Sequence, residues 1–204
     1  MIEINPEDQY AVISGKTTLE ELEASLPSGL QYRAPRLPLT LEDWLLSGGL
    51  GLLEMPPVRK DVLGLTYTAA HGTVSVGGKV VKNVAGYDVV RLVIGSDASL
   101  SHRVRIESAT LRLRPRVPVV RLEQARSETA TFSVLRELGA AYAVAYKQEN
   151  TWMLRAEFWG SQPNWGEVIS SDFSSTLELH DALGVFPRAK RELSALEARV
   201  LNAL

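Results

Sequence analysis

The chain has 204 residues, 22 of them Lys or Arg against 24 Asp or Glu; it is 45% hydrophobic and contains no cysteine. That length can bury a core, since chains of roughly 150 to 200 residues withdraw about 70% of their unfolded surface from water, and it suits one domain or two closely packed ones. A formal charge of -2 gives no general attraction to phosphate, so nucleic acid is not an expected partner, and the missing cysteine excludes disulfides, thiolate metal sites and iron–sulfur ligation within the chain.

Met1 to Pro6 carries no basic segment and no apolar run, so no secretory signal is read. No stretch approaches the length of a membrane-spanning helix, and a soluble, cytoplasmic protein is expected. Tyr10 to Ser14 reads as a strand. After Gly15, Thr18-Leu19-Glu20-Glu21 has capping-box spacing and opens a helix with Leu19, Leu22 and Leu26 on one face, ended by Pro27-Ser28-Gly29. Pro35 and Pro38 keep the next segment extended. A second helix starts at Thr40, with Trp44, Leu45 and Leu46 apolar, and stops at Gly48-Gly49.

From Val62 to Val81, β-branched runs punctuated by His71-Gly72 and Gly77-Gly78 predict strands joined by tight turns. Tyr87 to Ile94 is a short helix closed by Gly95. Arg103 to Ile106 and Leu111 to Arg114 alternate charged and apolar residues, which marks a strand with one wet face. Pro115 and Pro118 suggest a boundary. Beyond it come a strand (Val119 to Leu122), a helix (Thr131 to Leu138), a strand (Ala141 to Lys147), a turn at Glu149-Asn150 and a strand (Trp152 to Trp159). That order suits a ferredoxin-like α+β unit. A last helix after Pro187 sets Leu193, Leu196 and Val200 on one face.

The chemically informative stretch is Val58 to Gly64 followed by Gly77 to Leu92. Its glycines permit close backbone approach, and Asn83, Tyr87 and Asp88 supply hydrogen-bonding groups ahead of a helix, a generic place to receive an anion. Spacing alone is equally served by a turn-rich β meander whose glycines only make turns. The wording of the segment goes further. Arg59 to Gly64 (with Lys60 inserted), Gly77-Gly78-Lys79-Val80-Val81-Lys82-Asn83-Val84-Ala85-Gly86-Tyr87-Asp88 and Gly95-Ser96 resemble the FAD-binding subunit of glycolate oxidase, in the vanillyl-alcohol-oxidase or PCMH-type family of FAD-linked oxidases.

The resemblance implies an α+β fold: residues 1–116 as the second FAD-binding subdomain, with a sheet and flanking helices, and 117–204 as an α+β cap or substrate-like domain. It implies FAD as cofactor, held by Asp61, Gly64, Gly78, Lys82, Asn83, Gly86, Tyr87 and Asp88. It also implies hydride transfer from a small 2-hydroxy acid, and a second flavoprotein subunit and an iron–sulfur subunit as partners, which suits a cysteine-free chain. In such enzymes the cofactor carries the redox step and the protein supplies orientation and electrostatics.

Departures from the family pattern accompany the match. The family's first FAD subdomain precedes the element matching Tyr10 to Leu26, so an N-terminally truncated, partly degenerate member is expected. The Thr-Leu-Gly-Gly turn that approaches the pyrophosphate aligns with Thr40-Leu41-Glu42-Asp43, and Gly-Thr-Leu-Gly near the adenine aligns with Ala98-Ser99-Leu100-Ser101. A carboxylate set beside a phosphate charge at about 4 Å costs on the order of 4 kcal/mol at an effective dielectric of about 20. These departures motivate an alternative reading, a flavin-free structural or assembly subunit of the same complex.

No catalytic base is assigned and no metal site is read. His71, His102 and His180 lie at no metal-ligand spacing, and each is first a turn, strand or loop residue. The arginines Arg103, Arg105, Arg112, Arg114, Arg116 and Arg121 make either a basic ridge for a carboxylate or a solvated strand face. Trp152 and Phe158 share strand parity and suggest a buried sheet face.

Overall fold

A computed structural model describes residues 1–34, 39–48, 60–78, 89–96, 104–128, 130–160 and 162–170. Two antiparallel sheets organise them, in keeping with the expected α+β class. The first has strand order β1-β2-β6-β4-β5, with β1 Ile2–Asn5, β2 Tyr10–Ser14, β4 Val62–Ala69, β5 Gly72–Gly77 and β6 Arg105–Arg112. A small pair, β3 Leu30–Gln31 with β7 Arg114–Pro115, adjoins it. Ile13, Leu65, Tyr67, Ile106, Ala109 and Leu111 share one buried cluster, with a register irregularity between Thr66 and Tyr67 bringing Ile106 to the face of Ala109 and Leu111, and Thr66 facing Ser75 and Thr68 facing Thr73 make hydroxyl pairs on the opposite face of β4.

Helices cover the apolar face. Helix α1, Leu19–Ser25, is opened by the capping box read in the sequence: the Glu21 amide donates to the Thr18 hydroxyl at 3.1 Å, and the Thr18 amide donates to the Glu21 carboxylate at 2.9 Å. Helix α2, Leu41–Leu46, is capped by Thr40, and a β-bridge between Thr18 and Thr40 brings the two helix starts together. Trp44 is fully buried and meets Tyr32 edge-on at 5.9 Å. Helix α3, Val89–Val93, adds Val90 and Val93 to the same core.

The second sheet has the order β11-β8-β10-β9, with β8 Val119–Ala125, β9 Tyr142–Gln148, β10 Thr151–Trp159 and β11 Glu167–Val168. Leu122, Ala143, Ala145, Leu154, Ala156 and Phe158 pack with Leu135 of helix α4, Phe132–Glu137. Phe158 is buried there, whereas Trp152, on the same parity, is 39% exposed at the start of its strand. The other face carries Tyr142 and Val144, which join the core of the first sheet. Val117 and Pro118 link β7 to β8. The helix expected after Pro187 lies outside the described residues.

Candidate functional site

Two of the eight residues assigned to the cofactor, Gly64 and Gly78, lie together at the root of the β4–β5 hairpin. Gly64 pairs with Gly77 across the hairpin, and the Gly78 amide donates to the Leu63 carbonyl at 3.2 Å. Gly77 has a φ of +79°, and a Cβ there would stand 2.3 Å from the Leu63 carbonyl oxygen, so the close approach requires glycine. Gly78 has open space on its Cβ side. Lys82, Asn83, Gly86, Tyr87 and Asp88 lie outside the described residues.

Asp61, immediately before β4, is buried and makes an ion pair with Arg114 of β7, Oδ1 to Nη2 at 2.7 Å. Burial first, then the Asp61 charge, holds the Tyr32 hydroxyl well above the usual tyrosine range. Burial likewise raises Tyr142, with further contributions from Tyr32 and Glu157. Among the described residues the Tyr32 hydroxyl and Arg114 Nε, both buried, have no hydrogen-bond partner.

A groove of about 270 Å³ opens between the second sheet and the segment running from α1 through β3, a feature that no motif announced. Two ion pairs line it: Arg116 with Glu23 at 2.8 Å and Arg121 with Glu157 at 3.2 Å. At its edge Trp159 donates to Glu157 at 2.8 Å, packs on the Tyr142 ring at 5.4 Å and carries the Arg33 guanidinium 5.2 Å above its ring. Tyr142 donates to the Arg33 carbonyl. Glu157 and Trp159 share a strand face, but their partners Arg121, Tyr142 and Arg33 come from β8, β9 and the segment after β3, which sequence spacing does not reveal.

The turn at the start of α2 tests whether this chain fits a pyrophosphate there. A helix offers an anion the amides that lack partners in its first turn. Here the Leu41 amide donates to the Thr17 carbonyl at 2.8 Å, the Glu42 amide to the Gly15 carbonyl at 2.9 Å and the Trp44 amide to the Thr40 carbonyl at 3.0 Å. The Asp43 amide donates to the Thr40 hydroxyl at 3.1 Å, and that hydroxyl donates to the Asp43 carboxylate at 2.6 Å. Every amide of the turn is engaged by the chain itself, and two carboxylates stand beside it. The turn does not fit a pyrophosphate.

Of the histidines, His71 sits exposed in the β4–β5 turn, and His102 and His180 lie outside the described residues. Among the described residues no cluster of three His, Cys, Asp or Glu is arranged to hold a metal, and no helix is long and apolar enough to cross a membrane.

No family model matches the chain. It is 30% identical over 122 residues to D-lactate dehydrogenase of Archaeoglobus fulgidus, covering 57% of this chain and 27% of that protein. It is 35% identical over 109 residues to glycolate oxidase subunit GlcD of Bacillus subtilis, covering 49% and 23%. An FAD-linked oxidoreductase of Mycobacterium tuberculosis is 27% identical over 125 residues, covering 57% and 26%. The chain is a homologue of FAD-linked oxidoreductases. It spans about a quarter of the length of these curated relatives. Its fold is shared with alkyldihydroxyacetonephosphate synthase (TM-score 0.55, 16% identity, 78% of this chain and 36% of that one) and with a variant of Phl p 4, a glucose dehydrogenase (TM-score 0.56, 16% identity, 79% and 35%).

Proposed function

We propose that this homologue works within an FAD-linked oxidoreductase assembly that transfers hydride from a small 2-hydroxy acid to FAD. The observation that carries the reading is the similarity to D-lactate dehydrogenase and to a glycolate oxidase subunit, both named for 2-hydroxy acids, over 57% and 49% of this chain. The glycine-lined root of the β4–β5 hairpin, with Gly64 and Gly78, is the part of the described structure on which the resemblance places flavin contacts, continued by Lys82, Asn83, Gly86, Tyr87 and Asp88. Residues 1–116 form the FAD-type subdomain and 117–204 the cap in this proposal, with the groove at their junction. A second flavoprotein subunit and an iron–sulfur subunit complete the assembly in the cytoplasm. This chain positions its partners, and no proton transfer is assigned to any of its side chains.

A specific observation favours a second reading, a flavin-free assembly subunit: the closed α2 turn, with Glu42 and Asp43 in place of glycines. One experiment separates the two. The purified chain is saturated with FAD, freed of excess and its flavin absorbance recorded, alone and with the co-purifying subunits. A stoichiometric yellow complex supports the first reading and sinks the second; a colourless protein with no thermal shift in either state sinks the first.

A further inference from the structure

We infer that Glu42 is a built-in anionic ligand of its own fold, a carboxylate that splices helix α2 onto strand β6 and closes this turn to phosphate. The inference stands on the α2 turn and not on the proposed function. Strand β2 runs beside β6 only as far as Ser14, which pairs with Ser108. At Gly15 the chain turns away. Gly15 remains so close that a Cβ on it would sit 1.9 Å from the Ile106 carbonyl oxygen, and its amide donates to the Glu107 carbonyl at 2.9 Å.

Beyond that point β2 no longer accompanies β6, and among the described residues no strand bonds the amide of Ile106, a residue only 2% exposed, on that side. A buried amide left unpaired loses its bond to water with nothing in return. The Glu42 carboxylate reaches it from α2, Oε1 accepting from Ile106 N at 2.8 Å across 64 residues of sequence. The Glu42 amide meanwhile donates to the Gly15 carbonyl at 2.9 Å. One residue thus clamps β2, α2 and β6, with its side chain acting where the next strand residue would.

A charge-assisted bond of this kind is stronger than a neutral one, and a glycine at position 42 could not make it. The geometry also explains how an acidic residue is tolerated at this turn: the charge is turned inward onto an amide and is not presented to an incoming anion. Asp43 is likewise engaged, through Thr40. The chemical class excluded from the turn is a phosphate or diphosphate group.

The test is amide hydrogen exchange on the isotope-labelled full chain, read at Ile106, with inorganic pyrophosphate as the calorimetric probe. In the wild type the Ile106 amide is protected and pyrophosphate gives no saturable heat. In Glu42→Ala the same amide exchanges roughly tenfold faster or more, as expected for a lost charge-assisted hydrogen bond, while amides of the second sheet are unchanged. If Glu42→Ala fails to fold, Glu42→Gln carries the test: it keeps the acceptor oxygen but not the charge, and Ile106 exchanges measurably faster than in the wild type. Unchanged exchange at Ile106, or saturable pyrophosphate binding by the wild type, overturns the inference. A chain that never carries flavin would defeat the proposed function and leave the Ile106 measurement standing, so the two failures are distinguishable.

Discussion

Replacing Asp61 by asparagine separates a structural role for this residue from a flavin-facing one. The Asp61 side chain is 3% exposed and its carboxylate is spent on Arg114 at 2.7 Å, while the Arg114 side chain is 35% exposed. Breaking a fully buried ion pair by removing one partner costs roughly 3 to 5 kcal/mol. Because Arg114 keeps about a third of its contact with water, solvent screening reduces the expected loss to about 2 kcal/mol, or about 4 to 8 °C in Tm for a chain of this size. Urea unfolding of Asp61→Asn, Arg114→Met and the double variant measures the coupling directly, since the double variant removes the orphaned charge as well as its partner. The Tyr32 and Tyr142 hydroxyls should also ionise at lower pH in Asp61→Asn, because the carboxylate contributes to raising both. An Asp61→Asn protein within about 0.5 kcal/mol of wild type, with unchanged tyrosine titration, would refute this account; the surface-like outcome is that of a substitution away from any buried network.

Two further outcomes are expected. Gly15→Ala should cost at least about 2 kcal/mol by thermal or urea unfolding, because its Cβ would collide with the Ile106 backbone, whereas Gly29→Ala, with nothing within 4 Å, serves as the near-neutral control. Burial and the hydrogen bond to Glu123 push Tyr146 up to about 12, and burial also raises Tyr32, Tyr67 and Tyr142. A tyrosine whose folded pKa exceeds its unfolded value of about 10 adds stability that is complete below that pH and is lost as pH rises through the folded value. Tyrosinate absorbance should therefore lag in the folded chain and appear together with alkaline unfolding; normal titration of these residues in a folded protein would contradict the burial described.

Much of the local architecture was legible because it depends on neighbours in sequence. Thr18 and Glu21 are three residues apart, so their reciprocal capping is a property of one turn, and the helix formed where the spacing placed it. The alternations read at Arg103 to Ile106 and Leu111 to Arg114 bury Val104, Ile106, Leu111 and Leu113, because the side-chain period of a strand is two, while the register irregularity between these two runs had no sequence signal. The short elements were not legible: β3 and β11 have two residues each, too few to show any period, and they exist because β7 and β8 supply their hydrogen bonds. β1 escaped for a related reason, being an edge strand of four residues whose pattern shows only beside β2.

The sites divide along the same line. Sequence by itself determined that Gly64, Gly77 and Gly78 would be drawn into a tight β structure and that the wording of that stretch is shared with FAD-linked oxidoreductases. Tertiary structure alone decided what the charged groups do. Asp61 meets Arg114 across 53 residues, Glu42 meets the Ile106 amide across 64, and Tyr142 meets the Arg33 carbonyl across 109. In sequence, Glu42 and Asp43 read as charges aimed at a phosphate. In the fold one turns inward to β6 and the other caps its own helix, because a buried amide and a helix start need acceptors and these carboxylates are within reach of them.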